Sequence, residues 1–129
     1  MTDPQQLRTY DPAPGSHEGR VVIVTGAGDG IGRAVALALA RQGATVGLLG
    51  RTLRKLERSY DQIVKTGGPK PALLPFNLET ASAVEYEALH DALDREFGRV
   101  DGLAHIAGIL GVLSPIDHYD VPTWCKVLH

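Results

Sequence analysis

The sequence lacks the features of a secreted, membrane-spanning or nucleic-acid-binding protein. Cys125 is the one cysteine in 129 residues, which excludes an internal disulfide and indicates a reducing, cytoplasmic compartment. Because it stands beside Trp124 in an apolar stretch, we expect its thiol to be buried. No apolar run approaches the ~20 residues of a membrane span. A net charge of −2 gives no electrostatic reason to bind nucleic acid or an acidic membrane. The five histidines are scattered without the spacing of metal ligands, so no metal site is predicted.

The length and composition are typical of one globular domain preceded by a polar arm. A chain of 129 residues is long enough for one domain and too short for two ordinary ones. Residues 1–19 are polar, contain Pro4, Pro12 and Pro14, and have no apolar core of the kind found in secretory signals. We predict that residues 1–19 form an extended or partly disordered arm on the surface, and that residues 20–129 form the domain.

Short apolar strands alternate with amphipathic helices along residues 20–129. The first strand begins at Val21, and the later predicted strands are 44–49, 72–76 and 101–106. Ser82 and Glu85 have the spacing of a capping box at the start of the third helix, and a fourth helix is predicted near the end. The order β-α-β-α-β-α-β-α predicts an α/β fold with a parallel sheet, because parallel strands are joined by right-handed helical crossovers.

The most informative segment is the glycine turn between the first strand and the first helix. Glycine occupies every second position from residue 26 to residue 32. Glycines let the backbone approach an anion, and the free N–H groups at a helix N-terminus point at it with the favourable end of the helix dipole. This pattern predicts a pyrophosphate cradle formed by Gly26, Gly28, Asp29, Gly30, Ile31 and Gly32. The alternative is an ordinary strand-to-helix turn, where glycine is also common.

The spacing of these glycines separates two types of dinucleotide motif. The common fingerprint G-x-G-x-x-G/A fails, because Ile31 or Arg33 stands where a small residue is required. The pattern T-G-x-x-x-G-I-G from Thr25 to Gly32 instead resembles the short-chain dehydrogenase/reductase family. The resemblance covers residues 20–129 and implies the first half of a Rossmann-type doubly wound sheet that binds NAD or NADP. The chain is similar to bacterial oxidoreductases of undefined substrate in three segments, 29–32, 48–51 and 105–111.

The end of the second strand favours NADP over NAD. An acidic residue there would bind the ribose hydroxyls and repel a 2′-phosphate, but this chain has Gly50 followed by Arg51. A guanidinium can bind a phosphate through two parallel hydrogen bonds, and in the family resembled an arginine at this place goes with NADP. Alternatively, Arg51 is a solvated residue at a helix start, where its charge is slightly unfavourable. The carboxylate of Asp29 counts against a phosphate nearby.

Two further segments match family positions around the cofactor. Asn77 and Leu78 follow the third strand, where the family usually has an aspartate and an aliphatic residue that line the adenine pocket. Asparagine as a simple turn former is an equal alternative. Ile106, Ala107 and Gly108 match the family's N-A-G element, whose small residues admit the cofactor ribose. Ile106 replaces an asparagine that ordinarily ties neighbouring strands together, so either the strand ends rearrange or this copy is impaired.

The catalytic residues implied by the resemblance have no match in this chain. The family uses an asparagine, a serine, and a tyrosine followed four residues later by a lysine, and no tyrosine here has a lysine at that distance. We therefore assign no catalytic residue and expect the 129-residue chain to be inactive. Residues 124–129 resemble the helix that leads to the family's asparagine. We expect an interruption there, which leaves the fourth strand as an exposed sheet edge.

Together these observations predict the cofactor-binding half of an NADP-dependent oxidoreductase. The resemblance implies hydride transfer between the nicotinamide and a small carbonyl or alcohol, and a homo-oligomer for a full-length form. The alternative is a truncated nucleotide-binding module that acts as a sensor or interaction partner without catalysis. A methyltransferase of similar fold is a weaker possibility, since it too usually needs an acid at the place of Gly50.

Overall fold

The computed structural model describes residues 3–5 and 9–129, in which parallel strands alternate with helices. The strands are β1 (Val21–Thr25), β2 (Thr45–Gly50), β3 (Ala72–Pro75) and β4 (Gly102–Ala104). The helices are α1 (Gly30–Arg41), α2 (Leu53–Lys65), α3 (Ala83–Phe97) and α4 (Val121–Leu128), with a 3-10 turn at Ile116–His118 before α4. This order confirms the alternation expected from the sequence.

The sheet is wound in two directions from β1. Its strand order is β3-β2-β1-β4, and Val24 of β1 lies opposite Leu48 of β2 on one side and Ala104 of β4 on the other. The chain therefore moves outward from β1 to β3 and then crosses back to place β4 on the opposite side of β1. A crevice for a ligand forms beyond the carboxyl ends of the strands at such a reversal. The predicted Rossmann-type doubly wound sheet is confirmed.

One face of the sheet is covered by α1 and α2 and holds most of the buried core. The largest buried apolar side chains there are Val24, Val46, Leu48, Leu56 and Ile63. Helix α1 turns a small-residue stripe to this face, formed by the buried residues Gly32, Ala36 and Ala40. Because these residues lie four apart, they share one side of the helix. Small side chains at a contact allow a short distance between the helix axis and its neighbours.

The other face of the sheet is covered by α3 and is more open. Val21, Ile23 and Leu49 pack there against the partly buried Leu89, Leu93 and Phe97 of α3. No residue of α3 is fully buried. Strand β4 ends the sheet within the described residues, and its Leu103 side chain is 55% exposed. The exposed edge expected for the fourth strand is present.

The start of α3 has the reciprocal contacts expected from its sequence. The backbone N–H of Ser82 donates to the Glu85 carboxylate at 2.8 Å, and the Ser82 hydroxyl donates to the same oxygen at 2.9 Å. These bonds stabilise the charged carboxylate and lower the pKa of Glu85. The helix ends at Gly98, whose φ of +65° lies in the left-handed region that favours glycine.

Two sequence predictions are wrong. The fourth strand ends at Ala104 and not at residue 106, because the N–H groups of Ile106 and Ala107 donate to the Thr25 hydroxyl and not to a strand partner. The thiol of Cys125 is exposed, not buried. It lies on α4, a helix without a single buried residue, so its apolar neighbours in the sequence do not enclose it.

The predicted N-terminal arm is described only in part, since residues 1, 2 and 6–8 lie outside the described residues. The backbone N–H of His17 donates to the carbonyl of Gln42 at 3.0 Å, just beyond the end of α1. The last residues of the arm thus lie against that helix end. Across residues 3–5 and 9–129, no helix is long and apolar enough to cross a membrane.

Candidate functional site

The turn between β1 and α1 shapes the head of α1. Asp29 caps the helix in extended backbone, and its carboxylate accepts the N–H of Gly30 at 2.8 Å. Gly26 and Gly30 have φ values of +68° and +47°, a region that L side chains rarely adopt. The four amides at a helix head have no partner within the helix. The turn therefore offers donors and the positive end of the dipole at the switch point of the sheet.

Two glycines of the turn are required for close packing. A Cβ on Gly32 would overlap the carbonyl of Gly26, so α1 could not approach the turn. A Cβ on Gly26 would lie only 3.0 Å from the backbone nitrogen and Cα of Ala107. Gly30 is different, because no described atom lies within 4 Å of a Cβ built there. The turn thus combines tight internal contacts with free space in front of the helix.

The Thr25 hydroxyl joins the end of β1 to the segment after β4. It accepts the backbone N–H groups of Ile106 and Ala107, each at 3.0 Å, and the Thr25 side chain is buried. One hydroxyl oxygen has two acceptor lone pairs, so both bonds are compatible. The strand ends are therefore tied together although isoleucine stands where the family has asparagine.

A buried hydroxyl and a guanidinium hold the carbonyls of the turn. The Ser59 hydroxyl is fully buried, donates to the carbonyl of Ala27 at 2.8 Å and accepts from Nε of Arg33 at 3.1 Å. The Arg33 Nη2 group also donates to the carbonyl of Gly28. In a trans peptide the C=O of one residue and the N–H of the following residue point in opposite directions. These bonds therefore fix the directions of the N–H groups of Gly28 and Asp29.

A cavity of about 1000 Å³ lies in front of this turn. This volume is at the upper end of the range of small-molecule sites, roughly 300–1,000 Å³. Seven of the predicted site residues line it, namely Gly26, Gly28, Asp29, Arg51, Leu78, Ala107 and Gly108. The cavity thus brings together the glycine turn, the ends of β2 and β3, and the segment after β4.

The other predicted site residues do not line this cavity. The side chain of Ile31 is 73% exposed, and Gly30 and Gly32, at the head of α1, are not among the lining residues. Ile106 takes part through its backbone N–H, which bonds to Thr25. The side-chain oxygen of Asn77 accepts the N–H of Glu79 at 3.1 Å, which is the role of a turn former. For Asn77 the geometry therefore favours the simpler alternative.

Oppositely charged side chains meet around the cavity. The Lys55 ammonium lies 3.0 Å from the Asp29 carboxylate, and this bond, together with the N–H of Gly30, lowers the pKa of Asp29. Arg51 lies 3.3 Å from the Glu79 carboxylate, which also accepts a bond from Lys126 at 2.9 Å. The hydrogen bond and the charge of Lys126 lower the pKa of Glu79. The Asp29 charge, which counted against a phosphate, is thus balanced by Lys55.

Sequence reasoning missed Lys55, Glu79 and Lys126, all of which line the cavity. A signal for Lys55 exists in the sequence, since it falls in the first turn of α2, where a cation is disfavoured by the helix dipole. The charge of Arg51, just before the same helix, is disfavoured for the same reason. Glu79 and Lys126 carry no comparable signal, because their pairing depends on how distant segments meet.

Comparisons with known proteins agree with this geometry. A family model described as short chain dehydrogenase matches residues 20–129. The uncharacterized oxidoreductase YciK of Escherichia coli (strain K12) is 35% identical over 119 residues, which make up 92% of this chain and 47% of that protein. Levodione reductase of Leifsonia aquatica is 34% identical over 84% of this chain and 40% of its own length. The chain spans about half the length of such relatives, or less.

Solved structures give the same result. A protein from Pseudomonas syringae described as a short chain dehydrogenase superimposes with a TM-score of 0.88 and 41% identity, over 99% of this chain and 49% of that one. A similarly described protein from Escherichia coli CFT073, solved in complex with NADPH, has a TM-score of 0.85 and 36% identity over 91% of this chain and 49% of that one.

Proposed function

Since the chain belongs to the short-chain dehydrogenase family, we propose that it binds NADP(H) in the cavity before the glycine turn. It would form the cofactor-binding part of an oxidoreductase that acts on a small carbonyl or alcohol. The observation that carries this proposal is the site at the switch point, where the glycine turn before α1 (Gly26, Gly28 and Asp29) and Arg51 line one cavity. A homologous protein from Escherichia coli CFT073 was solved with NADPH, which supports the choice of cofactor.

The pyrophosphate would lie at the head of α1. The N–H groups of Gly28 and Asp29 are aimed by the bonds that Ser59 and Arg33 make to the preceding carbonyls. Gly30, the next residue, has open space where a Cβ would lie. Prealigned amides bind an anion without reorganisation, and the dipole of α1 adds favourable charge.

The 2′-phosphate would lie beside Arg51. The end of β2 carries Gly50 in place of a carboxylate, so nothing at that position repels a phosphate. Asp29, the nearest acidic residue of the turn, is paired with Lys55. Arg51 is 61% exposed in its side chain and keeps donors for a second partner. NAD, which lacks this phosphate, would bind less tightly.

The nicotinamide end of the cofactor would pass Ala107 and Gly108, where a single methyl group and a bare backbone leave room for the ribose. When bound, the nicotinamide supplies the hydride donor or acceptor. The residues here orient the cofactor but provide no tyrosine–lysine pair to move the proton of the substrate oxygen. We therefore propose that the 129-residue chain binds the cofactor without turning over substrate. A cytoplasmic location and a homo-oligomeric full-length form stay predictions.

Titration of the purified chain with NADPH and NADH tests this proposal. We expect saturable NADPH binding about tenfold tighter than NADH binding, because one charge-assisted pair contributes roughly 1.5 kcal/mol. Arg51→Asp should reverse the preference. Arg54→Asp is the matched control, since Arg54 lies three residues later, in the first turn of α2, and does not line the cavity. If neither NADPH nor NADH binds, the proposal is rejected. An unchanged preference for NADPH in Arg51→Asp would reject it too.

The non-catalytic alternative can be tested with the same preparation. We expect no NADPH oxidation with a panel of aldehydes and ketones, while binding persists. Turnover above the background without protein would show that a proton-transfer group exists in this chain after all. No relative described above favours a sensor, because those with a stated activity are reductases or oxidoreductases.

A further inference from the structure

Three charged side chains from separate segments meet at one side of the cavity. Arg51 follows β2, Glu79 follows β3, and Lys126 lies on α4. Nη1 of Arg51 is 3.3 Å from Oε2 of Glu79, and Nζ of Lys126 is 2.9 Å from Oε1 of the same carboxylate. All three residues line the cavity. Each oxygen of one carboxylate is thus held by a cation from a different segment of the chain.

This arrangement shows that both cations reach a single anion. The side chain of Glu79 is 36% exposed, whereas those of Arg51 and Lys126 are 61% and 59% exposed. Glu79 is therefore the most covered of the three side chains. A phosphate group has more oxygens than a carboxylate and about twice its charge, so it is a stronger partner for the same two cations.

We propose that Lys126 joins Arg51 in binding the 2′-phosphate of the cofactor, and that Glu79 is the internal anion which this phosphate displaces. This inference rests on the proposed function. It assigns Lys126 as a second phosphate ligand and Glu79 as a residue that sets cofactor preference. Before the cofactor binds, Glu79 keeps the two cations in place; afterwards the phosphate takes over both contacts.

The exchange is favourable on energetic grounds. Exposed ion pairs contribute little, so breaking the two contacts of Glu79 costs little. The phosphate regains both contacts with about twice the charge. Glu79, like any glutamate near its ordinary pKa, is ionised at neutral pH, and Lys126 and Arg51 lower its pKa further. Its negative charge therefore competes with the phosphate for the cations and repels it after displacement.

This mechanism predicts different effects of the substitutions on NADPH binding and on NADH binding. NADH carries no 2′-phosphate and does not need the contacts that Glu79 occupies. Removal of the Glu79 charge should thus strengthen NADPH binding and leave NADH binding unchanged. Removal of the Lys126 charge should weaken NADPH binding alone. A role of either residue in folding would instead change the binding of both cofactors equally.

The experiment measures the dissociation constants of NADPH, NADH and adenosine 2′-monophosphate for the 129-residue chain. Glu79→Gln keeps the shape of the side chain, and Lys126→Gln removes the cation from α4 without a helix breaker. The matched controls are Glu87→Gln on α3 and Lys65→Gln at the end of α2, neither of which lines the cavity. Circular dichroism establishes that each variant is folded.

We expect Glu79→Gln to tighten the binding of NADPH and adenosine 2′-monophosphate about three- to fivefold, the limit for an exposed pair. Lys126→Gln should weaken both by about the same factor, and NADH should change less than about twofold. Unchanged NADPH binding in both variants would overturn the inference and leave the proposed function intact. Parallel changes for NADPH and NADH would overturn it too. Failure of the unaltered chain to bind either cofactor would overturn both.

Discussion

The hydroxyl oxygen of Thr25 lies 3.0 Å from the backbone nitrogen of Ala107 and accepts its hydrogen bond. The same oxygen accepts the N–H of Ile106. The contact joins the end of β1 to the segment after β4, across 82 positions of the sequence. It depends on the backbone at residues 106 and 107 and not on their side chains. This explains how isoleucine can occupy position 106 while the two strand ends stay together.

Thr25→Val should lower the free energy of unfolding by about 1–2 kcal/mol, because it removes the acceptor of two amides at nearly constant volume. Urea unfolding followed by circular dichroism measures this loss. Thr25→Ser is the matched control, since it keeps the hydroxyl and removes only a methyl group. Equal stability of the valine and serine variants would show that the hydroxyl contributes nothing.

Ser59→Ala should weaken NADPH binding more than it weakens binding of adenosine 2′-monophosphate. The variant frees the carbonyl of Ala27 and one donor of Arg33, so the amides of the turn lose their fixed directions. The expected effect on NADPH is about tenfold, equivalent to roughly 1.4 kcal/mol. The smaller ligand has no pyrophosphate and should be unaffected. Ser114→Ala, at an exposed position, serves as the control. Equal losses for the two ligands would indicate a general defect of folding.

Gly32→Ala should destabilise the chain by about 2 kcal/mol or more, because its Cβ would overlap the Gly26 carbonyl. Thermal unfolding measures the change. Gly108→Ala provides a contrast, since no described atom lies within 4 Å of its Cβ and its φ is not positive. We expect Gly108→Ala to unfold at nearly the temperature of the unaltered chain. Similar losses in both variants would contradict the close approach of α1 to the turn.

Asp101 should make stability depend on acid pH. Bonds from Arg99 at 2.6 and 2.9 Å, and one from the N–H of Val21 at 2.8 Å, lower its pKa from 3.8 to about 2. The folded chain therefore binds fewer protons here than the unfolded chain. The contribution of Asp101 is complete above about pH 4 and is lost as the pH falls towards 2.

Unfolding free energies measured between pH 5 and pH 2 test this dependence. Asp101→Asn should show a shallower decline over the lower part of this range than the unaltered chain. Asp61→Asn, at an exposed position of α2, should follow the unaltered chain. If the Asp101→Asn variant keeps the full decline, other carboxylates are responsible for it.

Local patterns explain why most of the fold could be predicted from the sequence. The glycine turn, the capping box at Ser82 and the stop at Gly98 depend on neighbouring residues, and the structure has all three. The position of Cys125 could not be derived in this way, since burial depends on what packs against α4. The predicted end of β4 was wrong for a related reason, because the Thr25 hydroxyl binds an amide, that of Ile106, which the predicted strand would have used.

The charged side of the site was predictable only in part. Arg51 stands out because it replaces an expected acid and sits at a helix start. Its partner Glu79 lies 28 positions later, and Lys55 lies 26 positions from Asp29. Such pairs form when crossovers bring the ends of parallel strands to one edge of the sheet, which spacing alone does not specify. The sequence thus locates the cavity, and the tertiary structure determines how its charges are balanced.

The small-residue stripe of α1 links the packing of the whole helix to the position of its head. At 1.5 Å per residue, Ala40 lies about 12 Å along the axis from Gly32. A bulkier side chain at either Ala36 or Ala40 would push α1 away from the strands. The N-terminus of α1, where the anion-binding donors are, would then shift as well. Substitutions remote from every ligand contact can therefore disable the cradle, and loss of binding alone does not mark a residue as part of it.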